Sequence, residues 1–203
     1  VLGKFAFDGC TKLTSASIPD SVTAIAPYAF SSCISLQTLT LPAGLRYIGE
    51  SAFSYCENLQ EIDIPSGVTE IGESAFEKCK NLKSMTLQEG IQILRDHAFS
   101  YCETLSSVKI PESVIYMNSF ESCYSLHSAV MSEGLTVIKD ETFTNCDSLR
   151  NISLPKSIKI IEEDAFRKCP IQFIDYFGTM KEWDDLLIAG DDSNLRNACI
   201  TYV

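Results

Sequence analysis

The chain has 203 residues, 45% of them hydrophobic, with 27 acidic against 16 basic side chains and a formal net charge of -11. That apolar content is enough for a continuous core, while no apolar run reaches the roughly 18 residues needed to cross a bilayer. The acidity opposes nucleic acid, whose phosphates require a basic stripe.

The chain opens in the middle of a repeat, because Leu2, Gly3, Ala6 and Phe7 align with Ile48, Gly49, Ala52 and Phe53. A fragment or processed form of something longer is expected, and Val1 to Cys10 do not read as a signal peptide. End-to-end self-association through an uncapped first coil is one expected consequence. From there a cysteine returns almost every 23 residues, at Cys10, Cys33, Cys56, Cys79, Cys102, Cys123, Cys146 and Cys169. Each has a Phe three residues before it, and all but Cys169 have a Leu three residues after it. A recurrence of this kind is the signature of a solenoid.

One unit, Leu59 to Leu82, serves for all. Ile62 and Ile64 alternate with Glu61 and Asp63 as a strand with one buried face, ended by Pro65. Ser66 and Gly67 turn the chain, and Val68 and Ile71 return inward. Ala75, Phe76, Cys79 and Leu82 then stand at offsets of three and four, which predicts a short helix. Acids before it (Glu50, Glu73, Asp96, Asp140, Glu163) and Lys12, Lys80 and Lys168 at its end suit a helix dipole. Equivalent inward cysteines lie on parallel vectors and do not converge to disulfide geometry. Structural free thiols are therefore expected, a state that fits a reducing or anaerobic setting. Cys199 stands outside this ladder.

The pattern L-x-x-I-x-I-P, V-x-x-I-G, A-F-x-x-C-x-x-L, clearest in Leu59 to Pro65, Val68 to Gly72 and Ala75 to Leu82, resembles the BspA-like leucine-rich repeat over about residues 1–170. That resemblance implies an α/β repeat solenoid, a right-handed array of about eight 23-residue coils with a parallel concave sheet and short convex helices. It also implies an extracellular or bacterial cell-surface location and adhesion to host or neighbouring-cell macromolecules, an extracellular protein or glycan.

Outward strand positions are mostly hydroxyls, such as Ser15, Ser17, Thr38, Thr40, Ser84 and Thr86. The interval from Cys102 to Cys123 is 21 residues, because the segment before Phe120 lacks two positions, and that coil is expected to be tight or kinked. Around it Val130 takes a polar slot, His127 and Arg150 take the adjoining edge, and Tyr101, Lys109, Tyr116 and Tyr124 lie near. Exposed Tyr and Arg favour interfaces, so these seven residues are the candidate binding surface.

After Cys169 the repeat lapses. Residues 171–203 read as a C-terminal capping unit: a strand through Phe173 or Ile174 and Tyr176, then a capping box of Thr179 and Glu182 opening a helix. Trp183, Leu186 and Leu187 are placed on the covering face of that helix, and Ala198, Ile200 and Tyr202 alternate as a last strand. Two histidines on different coils, His97 and His127, give no nucleophile and base pair, and no C-x-x-C zinc spacing occurs. Asp191, Asp192, Ser193 and Asn194 resemble a calcium loop only weakly. No enzyme, cofactor, metal or membrane insertion is expected. A noncatalytic interaction module is the leading reading, with a structural spacer as the alternative.

Overall fold

The computed structural model describes residues 1–190 and 193–203. Each coil contributes a longer strand and a two-residue strand. In chain order these are β1 Ser15–Ser17 and β2 Ala24–Ile25, β3 Thr38–Thr40 and β4 Tyr47–Ile48, β5 Glu61–Ile64 and β6 Glu70–Ile71. Then come β7 Ser84–Leu87 and β8 Ile93–Leu94, β9 Ser107–Ile110 and β10 Tyr116–Met117, β11 Ser128–Met131 and β12 Val137–Ile138. The chain closes with β13 Asn151–Pro155, β14 Ile160–Ile161, β15 Phe173–Phe177, α1 Met180–Asp184, β16 Leu187–Ile188, α2 Ser193–Arg196 and β17 Cys199–Tyr202. All pairing is parallel and joins each coil to the next, so the chain is a stacked β-solenoid. β9, β11, β13, β15 and β17 form one continuous sheet.

The core follows the repeat. Phe30, Phe53, Phe76, Phe99, Phe120 and Phe143 are buried and stack face to face, with centroids 5.2 Å apart for Phe30 and Phe53 and 5.1 Å for Phe76 and Phe99. Planes within 13° of parallel keep one ring per coil in register. Beside the rings, Cys56 Sγ donates to the Phe30 carbonyl at 3.3 Å and Cys79 Sγ to the Phe53 carbonyl at 3.3 Å. The same bond recurs up to Cys169 and Phe143. Cys10, on the first coil described, lies exposed, whereas the ladder cysteines from Cys33 to Cys169 are buried.

The expected convex helices are not formed. After Gly49, alternate amides serve different partners: Ala52 N–H and Ser54 N–H bond back to Gly49 and Ser51, whereas Ser51, Phe53 and Tyr55 N–H donate to Glu73, Ala75 and Glu77 of the next coil. An α-helix would send every one of these to its own chain four residues back. Ser51 and Tyr55 have φ of 49° and 61°, and this left-handed pair, four residues apart, recurs as Ser74 with Lys78 and His97 with Tyr101. The offsets of three and four that mimic a helix arise from successive turns. The charge pattern assigned to a helix dipole therefore has no dipole to act on.

The short coil interrupts one ladder. β10 pairs β8, but β12 pairs only β14, so the short strands fall into two sheets divided there. In regular coils the residue after the short strand sends its N–H to the preceding coil, as Gly72 does to Ile48 and Arg95 to Ile71. That residue is missing after Met117. The buried Ser119 hydroxyl takes its place, donating to the Leu94 carbonyl at 3.2 Å or to the Arg95 carbonyl at 3.0 Å.

At the C-terminal end the capping box is present, with Thr179 Oγ1 accepting from Glu182 N–H at 3.2 Å and Glu182 Oε2 accepting from Thr179 N–H at 2.8 Å. Trp183 packs on the core from α1, and Leu186 does so from beyond the end of the helix rather than on its face. Leu187 does not: it is 66% exposed, because it belongs to β16, which pairs β14.

Candidate binding surface

Period-two alternation in β9, β11, β13 and β15 puts one set of side chains on the outer face of the long-strand sheet. Lys109, Val130, Ser153 and Asp175 stand side by side there in register. Val130 is half-buried. It lines a shallow groove of about 320 Å³ together with Lys109, Glu112, Met131, Ser132, Glu133, Pro155 and Phe177. Met131 and Pro155 are buried and form its floor, while Phe177 is 44% exposed at its end.

The turn beyond the strands supplies a charged rim. Glu89, Glu112 and Glu133 take equivalent places on successive coils. The Glu89 carboxylate accepts from Glu112 N–H at 3.3 Å and Ser113 N–H at 3.2 Å, which ties it to the next coil. Gly134, at φ 111°, lets Glu133 stack close above: a β-carbon there would stand 2.1 Å from the Glu112 carbonyl oxygen.

The seven residues expected from the sequence do not form one patch. Lys109 and Val130 meet on the sheet face. His127 and Arg150 lie exposed at the entry of β11 and β13, joined by an Arg150 N–H bond to the His127 carbonyl at 3.1 Å. Tyr124, 38% exposed, occupies the turn before them. Tyr116 is elsewhere, on the short-strand side, where its hydroxyl donates to Asp96 at 2.5 Å and this bond pushes its pKa up to about 12. Tyr101 stands in a turn column beside Lys78, whose ammonium lies 5.5 Å from its ring and 4.5 Å from that of Tyr55.

The sequence reading missed Phe173 and Phe177. Both point outward from β15, with Phe173 52% exposed. A signal existed, since Phe177 pairs with Pro155 and so takes the place that prolines hold after the strand in other coils.

Little in the structure resembles catalytic chemistry. Burial pushes the thiols of Cys56, Cys79 and Cys102 up, which suppresses the thiolate. His97 Nδ1 lies 3.3 Å from both Glu121 Oε2 and the buried Ser100 Oγ, and because both contacts fall on one ring nitrogen they do not form a carboxylate–imidazole–hydroxyl relay. Among the described residues no three His, Cys, Asp or Glu side chains converge to hold a metal. Asp191 and Asp192 of the weak calcium pattern lie outside the described residues. Asn194 is occupied structurally, its Nδ2 donating to the Phe166 carbonyl at 2.8 Å and the Cys169 carbonyl at 3.1 Å. Among the described residues no helix is long and apolar enough to cross a membrane.

A family model described as BspA type Leucine rich repeat region (6 copies) matches residues 1–119 and 113–190. No curated protein sequence matches the chain. Among solved structures, a leucine-rich repeat protein from Bacteroides ovatus is similar over 98% of this chain, with 28% identity and a TM-score of 0.81. The chain spans 58% of the length of that protein. The leucine-rich repeat protein of T. pallidum matches 77% of this chain and 76% of its own, with 26% identity and a TM-score of 0.70.

Proposed function

The chain belongs to the BspA-type leucine-rich repeat family, and from that premise we propose that it is a noncatalytic interaction module of a secreted or surface-displayed bacterial protein. Its partner is a macromolecule of a host or neighbouring cell, and it docks on the outer face of the long-strand sheet. In this reading residues 1–170 present that surface and residues 171–203 close the array. The observation that carries it is the apolar groove of Val130, Pro155 and Phe177, set in a face whose other outward side chains, Phe173 apart, are mostly polar or charged. A spacer with no ligand would have no use for an exposed Phe beside a half-buried Val there.

The test is binding of the purified domain to a panel of matrix glycoproteins and glycans by interferometry, with Val130→Asp alongside. A hit weakened at least tenfold in the variant is expected. Silence across the panel would favour the spacer, whereas mass rising with concentration would point to association of copies end to end.

A further inference from the structure

We propose that the groove accepts an extended polypeptide segment carrying a bulky apolar side chain next to basic ones; this rests on the reading that the long-strand face is the binding surface. The apolar half follows from the floor. Met131 and Pro155 are buried under an opening bounded by Val130 and Phe177, a shape suited to one Leu or Phe anchor.

The basic half follows from the rim. Glu89 is neutralised in part by two backbone amides, but the Glu112 and Glu133 carboxylates accept no hydrogen bond and make no ion pair among the described residues. Successive coils are about 4.8 Å apart, so these like charges repel one another. Lys156 takes the next place in the column but makes no ion pair with Glu133. Among the described residues Lys109 is the only cation lining the groove, against two carboxylates. A guanidinium or ammonium from the partner, held over the rim while the apolar anchor excludes water, relieves that repulsion. Its attraction adds to that of a chain with net charge -11.

The test is an NMR titration of the isotopically labelled protein with millimolar peptide. One probe is a pentapeptide of leucine and phenylalanine flanked by two arginines, and the other has two glutamates in their place. The arginine peptide is expected to shift the resonances of Val130, Met131 and Phe177. Its affinity should fall about 3- to 10-fold in Glu112→Gln/Glu133→Gln and fall again with added salt. These surface substitutions leave the core intact, so an unchanged spectrum for the free variant confirms folding. Equal binding of the glutamate peptide would overturn the charge assignment while leaving the docking surface standing. Shifts caused by neutral chitotetraose but by neither peptide would overturn the polypeptide assignment and indicate glycan. Absence of any shift at the groove would also reject the inference, and the Val130→Asp comparison on the protein panel then decides the broader reading separately.

Discussion

A single residue type, the ladder cysteine, makes two bonds to phenylalanine carbonyls, one within its own coil and one to the preceding coil. Its amide closes the turn on the Phe three residues before, and its thiol donates to the Phe carbonyl of the preceding coil, as when Phe53 accepts both Cys56 N–H and Cys79 Sγ. Placement of the thiols inside was legible in the spacing, but their role as donors was not, because a sequence shows no carbonyl. The consequence is a pH dependence. Burial raises the thiols of Cys33, to about 11, and Cys123, to about 12, and also those of Cys56, Cys79, Cys102 and Cys146. A folded-state pKa above the unfolded value of about 8.5 means that stability is complete below that pH. It is lost as pH rises and the unfolded chain alone sheds protons. Each thiol then contributes a loss of about 1.4 kcal/mol per pH unit. Urea denaturation under reductant from pH 8 to 10 is expected to show a steep fall, made shallower by about one proton in Cys79→Ala. A flat profile would contradict the buried ladder.

Among the elements, strands were readable and turns were not. The alternation in Glu61–Ile64 and the stop at Pro65 locate β5 without ambiguity. The turn segments carry apolar residues at offsets of three and four, as a helix does, and their left-handed positions are filled mostly by residues such as Ser, Tyr, Lys, His, Glu and Asp, with glycine at Gly9. No composition signal distinguishes them. Each such residue carries a conformational penalty of about 1–2 kcal/mol, offset by the inter-coil bond its amide makes. Phe173 and Phe177 escaped notice for a related reason: Phe173, Ile174 and Tyr176 permit two strand frames, and only pairing with β13 selects the one that turns both Phe outward. The short coil tests the bonding argument directly. Ser119→Ala removes the buried hydroxyl that replaces a lost backbone donor, and should lower stability by about 1–3 kcal/mol. Ser15→Ala, on the exposed sheet face, should change little. Equal melts for the two would mean that the hydroxyl does not repair the ladder.

For the whole molecule, stability is a sum of coils and of the interfaces between them, so the weakest interface decides how the solenoid opens. The long-strand ladder is interrupted between β3 and β5 and between β7 and β9, and the short-strand ladder at the short coil, where the phenylalanine stack is also widest; the short coil is therefore where opening is expected. The short-strand ladder ends at Met117 and resumes at Val137, leaving β9, β11 and the core to hold the two parts together. The phenylalanine stack widens at the same place, to 5.6 Å between Phe99 and Phe120 and 5.7 Å between Phe120 and Phe143, against 5.1 Å between Phe76 and Phe99. Only the two-residue deletion was visible in advance; its effect depends on which bonds the missing residues would have made. Hydrogen exchange in urea below the unfolding midpoint is expected to divide the amides into two cooperative blocks, one ending near Met117 and one beginning near Val137. The candidate groove lies close to this division, spanning Lys109 to Phe177. A bound ligand should therefore slow exchange in both blocks and bring them toward a single transition. One block for the free protein would show that the long-strand sheet alone couples the coils, and the interrupted ladder would then have no effect on how the array opens.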